Sequence, residues 1–420
     1  MTTAATAQLP LGDVIESQPI RIFRSIELFT GAGGLALGSH LSGFEHQALI
    51  EWNAPACETL VANAENDSVP GIRHWHVMRG DVRSIQFRDF GHIDLVAGGP
   101  PCQPFSIGGK ARGMDDTRDM IPQLVRAVRE LQPSAFILEN VKGLMRPVFR
   151  PYFSYVILQL THPTVTRGQE ESWEDHLRRL EDVHTAGVDV DLRYNVVFRL
   201  LNAADYGVPQ TRERVFVVGF RHDTGIEWHF PAPTHGRDAL AAAQSVTGDY
   251  WEHHRIVPDH PQLLDRWKIS RNAAASPSPL KPWRTVRDAI SDLPEPNEGQ
   301  SGFGGVTNHL LRPGARSYPG HTGSLLDWPA KTLKAGDHGV PGGENMIAFA
   351  DGSVRYFTVR EAARLQTFPD GWHFEGPWSE AMRQLGNAVP VSLASSITES
   401  VAKALRGGVV TIGDRSLPAQ

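Results

Sequence analysis

Four times in its first hundred residues the chain carries a short apolar run that ends in glycine or a carboxylate, and three of these give way to a helix-forming stretch. This repeat limits the fold more than any other feature. Residues 21–29 alternate and are β-branched enough to predict a strand, which runs into Thr30-Gly31-Ala32-Gly33-Gly34. A helix is expected from Leu35 to Leu41, closed by Gly43 in the C′ position. Glycines there permit positive φ and let a ligand approach the backbone near a helix N-terminus, although a tight structural turn accounts for them equally well. The second run, His46 to Ile50, ends in Glu51-Trp52-Asn53 before a helix from Ala54 to Ala64. An acid about twenty positions past a glycine loop is placed to accept from ribose hydroxyls, and Trp52 beside it offers a face to a purine. The third unit ends in Gly80-Asp81-Val82, the fourth in Gly98-Gly99-Pro100-Pro101-Cys102-Gln103-Pro104-Phe105-Ser106. Strand ends of this kind fit an open parallel α/β sheet with a ligand across the carboxyl ends of its strands.

The fourth loop places a cysteine between prolines, which lack a backbone donor and fix φ, so the loop is stiff enough to aim a thiol. Taken alone, Cys102 reads as a small packed hydrophobe. A polar, glycine-rich stretch from Gly108 to Asp116 follows and is expected to be mobile. After a helix from about Asp119 to Leu131, the run Ala135-Phe136-Ile137-Leu138 delivers Glu139-Asn140-Val141 to the next strand tip. A carboxylate and a thiol on neighbouring tips form an acid and nucleophile pair by position. Cys57, on the second helix, reads as packing. The chain has only these two cysteines and no CxxC pair, which excludes a disulfide scaffold and the usual zinc clusters.

These residues, with Gln210-Thr211-Arg212-Glu213-Arg214 and Gly386-Asn387-Ala388-Val389-Pro390, resemble the ordered motifs of the cytosine-C5 DNA methyltransferases, in their compact bacterial modification form. The resemblance spans roughly residues 22 to 392. Val82 stands where an isoleucine is commoner. It implies a Rossmann-like S-adenosylmethionine-dependent methyltransferase sheet with a smaller, irregular target-recognition domain. It implies S-adenosyl-L-methionine as cofactor, held by Phe29, Gly31, Gly33, Gly34, Leu35, Glu51, Trp52, Asp81, Val82, Pro101, Asn387 and Val389. Catalysis falls to Cys102 as nucleophile on cytosine C6, Glu139 as acid at N3, and Arg212 at the base O2, with Arg214 ordering the loop. Gln103, Ser106, Gln210, Arg214, Thr332 and Lys334 are expected at the nucleic acid. The base must leave the duplex, and the stretch after Cys102 is expected to close over it.

The chemistry asks for these residue types. Cytosine C5 is a poor nucleophile until a thiolate adds at C6, and the ring accepts that attack when an acid of raised pKa serves N3.

The expected organisation is a disordered segment over 1–20, a catalytic and cofactor-binding domain over 21–220 with a charged insertion at about 161–193, a target-recognition domain over 221–345, and a return to the catalytic domain over 346–420 ending in a helix from Val391 to Leu405. In the insertion, Trp173, Leu177 and Leu180 form a stripe that predicts a surface helix docked by one edge. Residues 221–345 lose periodicity and gain proline and glycine, with a linker-like Ala273 to Pro279. Thr285 and Thr358 each open a capping box. His253-His254 has neither cysteines nor a second spaced histidine pair, so no metal is expected there. The net charge of −6 excludes binding by bulk electrostatics, so DNA contact is expected from a local cluster of Arg284, Arg287, Lys331 and Lys334.

No apolar run of eighteen residues exists, and the opening residues lack a secretory pattern. A monomeric, cytoplasmic protein held at the nucleoid through duplex DNA is expected, with a restriction or defence system as partner and no membrane. An RNA cytosine-C5 methyltransferase, specifically one for transfer RNA, and a catalytically silent DNA-binding relative are the competing readings. A nicotinamide dehydrogenase fits less well, since the glycine turn lacks the full GxGxxG order.

Overall fold

The computed structural model describes residues 22–101, 119–187, 191–257, 278–298, 305–335 and 345–407. The expected disordered start, Cys102, Gln103, Ser106, the Gly108 to Asp116 stretch and most of the Ala273 to Pro279 linker lie outside these residues.

Seven strands form one sheet: β1 (Phe23–Leu28), β2 (Phe44–Glu51), β3 (Val77–Arg79), β4 (Leu95–Gly98), β5 (Ala135–Val141), β6 (Tyr194–Asn202) and β7 (Glu213–Arg221), in the order β3-β2-β1-β4-β5-β7-β6. The central strands are apolar because both of their faces are covered, and Leu95, Val96, Phe136, Ile137 and Leu138 are fully buried. The first five strands are parallel, as the sequence predicts, but β7 runs antiparallel to both β5 and β6. The reason is the connection. A segment with no crossover helix joins β6 to β7, and parallel neighbours need a longer crossover.

Helices α1 (Gly34–Leu41), α2 (Ala54–Glu65), α3 (Ile121–Leu131) and α4 (Arg150–Thr161) follow β1, β2, β4 and β5. From β1 the chain moves to β2 on one side and later returns to β4 on the other. The order therefore reverses between β1 and β4, and the crevice at such a switch point is where open α/β sheets bind ligands. The glycine loop and the Pro100-Pro101 loop both leave the sheet there.

Helix α5 (Trp173–Ala186) occupies the insertion. Leu180 is fully buried against α4 and the sheet core, and Trp173 and Leu177 pack on the same core, so the predicted stripe is the docked edge. The segment after β7 contains β8 (His235–Gly236), α6 (Arg237–Ser245), α7 (Asp249–His254), β9 (Lys281–Pro282), α8 (Val286–Ile290) and β10 (Ser324–Leu325). The return adds β11 (Met346–Ala348), β12 (Val354–Tyr356), α9 (Val359–Leu365), α10 (Trp378–Asn387) and α11 (Val391–Leu405). Both capping boxes form, at Thr285 with Asp288 and at Thr358 with Glu361.

Helix α11 packs on α1, where the Ser42 and Thr398 hydroxyls meet at 2.7 Å, and shares a core with Phe23, Leu95 and Ile137 of the sheet. A second core joins α2, α8, α9 and α10 around the fully buried Trp372. The beginning and end of the described chain thus close one body around the β1/β4 crevice.

Candidate active site

The crevice is built first from the glycine loop. β1 ends at Leu28 and Phe29 adopts φ +58°, a left-handed conformation unusual for a non-glycine residue, followed by Gly31 at +56° and Gly33 at +89°. This turns the chain sharply into α1. A Cβ on Gly34 would sit 2.1 Å from the Val389 carbonyl oxygen, so only glycine lets the loop and the return segment touch. Leu35 and Val389 are buried at this junction, and Asn387, the last residue of α10, is exposed beside it.

Glu51 holds the loop from the side. Its Oε2 accepts from the Gly31 amide at 2.7 Å and its Oε1 from the Asn53 amide at 2.7 Å. Each oxygen keeps a further lone pair for a ligand. Trp52, next to it, is 66% exposed. Hydrogen bonds from Arg83 hold the Asp81 carboxyl below the usual range, so it stays ionised at the rim. Val82 beside it is buried in the sheet core. A Cβ on Gly31 would meet no atom within 4 Å, so the loop faces open space there. An exposed indole, a fixed carboxylate and an open glycine loop along three strand tips fit a nucleoside-bearing cofactor of the S-adenosylmethionine type.

The second half of the crevice is the tip of β5. Glu139 is only 7% exposed, and its Oε1 lies 3.0 Å from the Arg214 Nε. Burial pushes the carboxyl up, and Arg214 and then Arg212 pull it back. Next to it, the Asn140 side-chain amide donates to the Pro100 carbonyl at 3.2 Å, and Gly99 packs over the Glu139 Oε2. The Pro100-Pro101 loop is therefore tied to the same tip as the acid. Pro101 is exposed and is the last described residue before Cys102.

Two of the expected site residues lie in the interior of the fold. Arg212 was expected at the base, with Arg214 ordering the loop. Arg212 is instead fully buried, with its guanidinium donating to the carbonyls of Leu333 (3.1 Å), Gly386 (2.6 Å) and Ala388 (2.9 Å). Arg214, at the start of β7, is the arginine beside the acid. Gln210 was expected at nucleic acid, yet it is fully buried, donating to the Leu365 carbonyl and accepting from the Leu333 amide.

Thr332 donates to the Thr211 carbonyl at 2.7 Å, and Thr211 and Ala330 pair through the backbone. The segment from Ala330 to Leu333 is thereby fastened along the Gln210–Arg214 motif. The Lys334 side chain is exposed at its end. Of the expected basic cluster, Arg287 is bound by both oxygens of Asp327, which neutralises it, while Arg284 and Lys331 are exposed. Cys57 is buried, and its surroundings push the thiol up to about 11, consistent with packing.

Sequence reasoning passed over Glu27. It lies 1% exposed on β1, accepts from the Ala36 amide in the first turn of α1, and leaves its Oε2 without a hydrogen bond. The signal was present: Gly33, the N-cap of α1, has no side chain to cap with, so the helix needs an acceptor from elsewhere.

The C-5 cytosine-specific DNA methylase family matches residues 23–162 and 188–403. The chain is 31% identical over 384 residues to the Type II methyltransferase M.NgoMIV of Neisseria gonorrhoeae, covering 91% of this chain and 98% of that one. It is 31% identical over 393 residues to the Type II methyltransferase M.Eco47II of Escherichia coli, covering 90% and 79% respectively. In fold it is similar to the Dnmt2 methyltransferase of S. pombe, with a TM-score of 0.51 at 14% identity over 92% of this chain and 99% of that one. Among the described residues no helix is long and apolar enough to cross a membrane. With the Rossmann-like sheet, the glycine loop and the Glu139 tip in place, the chain belongs to the C-5 cytosine-specific DNA methylase family and is a DNA (cytosine-5)-methyltransferase.

Proposed function

We propose that the protein transfers a methyl group from S-adenosyl-L-methionine to C5 of a cytosine flipped out of a specific duplex DNA sequence, through a covalent bond between Cys102 and C6. The observation that carries this reading is the buried Glu139, its carboxyl pushed up by burial and paired with Arg214, on the strand tip that also anchors the Pro100-Pro101 loop.

Glu51, Trp52, Asp81 and the glycine loop would hold the cofactor, whose contribution is an electrophilic methyl group. Glu139, when protonated, donates to N3 of the base, which makes C6 electrophilic. The Cys102 thiolate then adds to C6, and the electron pair released into the ring makes C5 nucleophilic. Once C5 has gained its methyl, loss of the C5 proton to a base and departure of the thiolate restore the aromatic ring. Arg214, rather than Arg212, is the cation placed to offset charge developing on the base, because its guanidinium is at the acid. Burial around Glu139 strengthens these interactions by excluding water.

Residues 221–345 serve as the target-recognition region in this reading. Support comes from Lys334, Lys331 and Arg284, exposed on or near the segment that is fastened to the Gln210–Arg214 motif. The names of the Type II relatives support a role beside a restriction enzyme of the same target.

A duplex carrying 5-fluorocytosine at its target tests the mechanism, because fluorine blocks loss of the C5 substituent and traps the adduct. The protein with S-adenosylmethionine should give a denaturant-resistant complex that Cys102→Ala abolishes. Absence of the complex in the wild type, or its survival in the variant, overturns the reading. Bisulfite sequencing of DNA from cells with and without the protein supplies the target needed for that duplex.

A further inference from the structure

The His253-His254 pair plays no part in the methyl-transfer reading, and the fold brings it a third partner from a distant segment. The His254 Nε2 lies 2.8 Å from Asp288 Oδ1, thirty-four residues away in sequence. One ligand atom each from His253, His254 and Asp288 lies within 4.8 Å of the others. From these residues we propose a zinc-class metal site that clasps α7 to α8.

The surroundings prepare Asp288 to act as a one-oxygen ligand. Its Oδ2 already accepts from the Thr285 amide at 2.7 Å and the Thr285 hydroxyl at 3.0 Å, within the capping box of α8. That leaves Oδ1 turned towards His254, with the carboxylate plane fixed by neighbours, as ligating carboxylates generally are. The His254 ring is held in turn. Its side chain is 6% exposed, and it packs at 4.7 Å from the Tyr250 ring, whose hydroxyl reaches Thr285 at 2.9 Å.

The 2.8 Å between Nε2 and Oδ1 is a hydrogen bond, and the pair would open by about half an ångström to reach the separation of about 3.3 Å that two ligands 2.0–2.1 Å from a tetrahedral zinc show. Arg255, at φ +54°, ends α7 immediately after the pair. His253 is exposed, so its ring has room to rotate inward by the remaining distance. Two imidazoles and a carboxylate suit zinc, with the fourth position open to water. The site would fix the relative placement of α7 and α8 in the segment proposed to read DNA.

The test is calorimetric titration of zinc into the full-length Cys102→Ser protein after chelator treatment, with cobalt(II) absorption as a second readout. One equivalent should bind, with a cobalt spectrum lacking the intense thiolate charge-transfer band. Binding should weaken at least tenfold in His253→Ala and disappear in His254→Gln, a change that keeps a side-chain donor for Asp288. His253→Ala alters only an exposed side chain, so its folding is secure. Failure of zinc to bind, binding in both variants as tight as with the two histidines intact, or a spectrum dominated by thiolate would overturn the site.

Discussion

At the scale of single residues, Glu27 shows how an acid beneath the glycine loop is tolerated. Burial raises its carboxyl well above the usual range, and the charge of Glu51 adds to this against the bond from Ala36. The folded state therefore favours the neutral form. That preference is fully expressed below the unfolded pKa of about 4.5 and is lost as pH rises towards the folded pKa, at about 1.4 kcal/mol per unit. Glu27→Gln removes the titration but keeps an acceptor for Ala36. Its advantage over wild type in urea unfolding should be larger at pH 8 than at pH 5, and an equal difference at both would refute the neutral carboxyl. The sequence showed a carboxylate at this position but not its burial. By contrast Glu139 was legible, because an acid directly after Ala135-Phe136-Ile137-Leu138 must emerge at the end of a buried strand. The roles of Arg212 and Arg214 were not legible. They lie two positions apart, and only the pairing of Val141 with Arg214 across β5 and β7 decides which reaches Glu139.

At the scale of elements, local signals fixed boundaries well where capping chemistry was explicit. Helix α11 begins after Pro390 and ends at Leu405, as read, and both threonine capping boxes form. The antiparallel β7 carried no such signal, since strand direction depends on the path of the connection rather than on residues within the strand. Helix α5 was legible as an edge-docked helix but not in its polar fastening. His176 is buried, with Nδ1 2.8 Å from the Tyr155 hydroxyl and Nε2 2.8 Å from the Val165 carbonyl. Tyr155 donates and His176 Nε2–H donates onward, an arrangement that needs the neutral ring, and burial lowers the histidine pKa accordingly. The apolar anchor beside it is Leu180. Leu180→Ala should cost about 2–5 kcal/mol of stability through the cavity it leaves. Methyl-transfer kcat at a temperature where the variant is folded should match wild type, because the named contacts of α5 run to α4 and its own loop. A lowered kcat with unchanged stability would instead tie the insertion to the active site.

For the molecule as a whole, the deciding question is what Arg212 holds together. Its guanidinium joins three carbonyls from two segments more than a hundred residues away, Leu333 at the end of the fastened segment and Gly386 and Ala388 in the return that touches Gly34. Gln210 and Gln366 reinforce the same junction through Leu333, Leu365 and Leu385. A fork of fixed donors can serve three carbonyls at once, whereas a lysine ammonium placed there would leave part of them unsatisfied in a buried setting. Arg212→Lys should therefore lower Tm by several degrees and raise KM for both DNA and S-adenosylmethionine, because the junction borders both sites. Arg214→Gln should do the opposite. Its Tm should stay close to wild type, since the Glu139 left behind can take up a proton, while kcat falls by at least tenfold and the alkaline limb of the pH–rate profile, set by loss of the Glu139 proton, shifts upward. The upward direction follows from the charge: Arg214 lowers the Glu139 pKa, and its removal leaves the burial effect less opposed. If Arg212→Lys kept its Tm and lost kcat while Arg214→Gln kept its pH profile, the base-side role would return to Arg212 and the junction would have to be held by its backbone contacts alone.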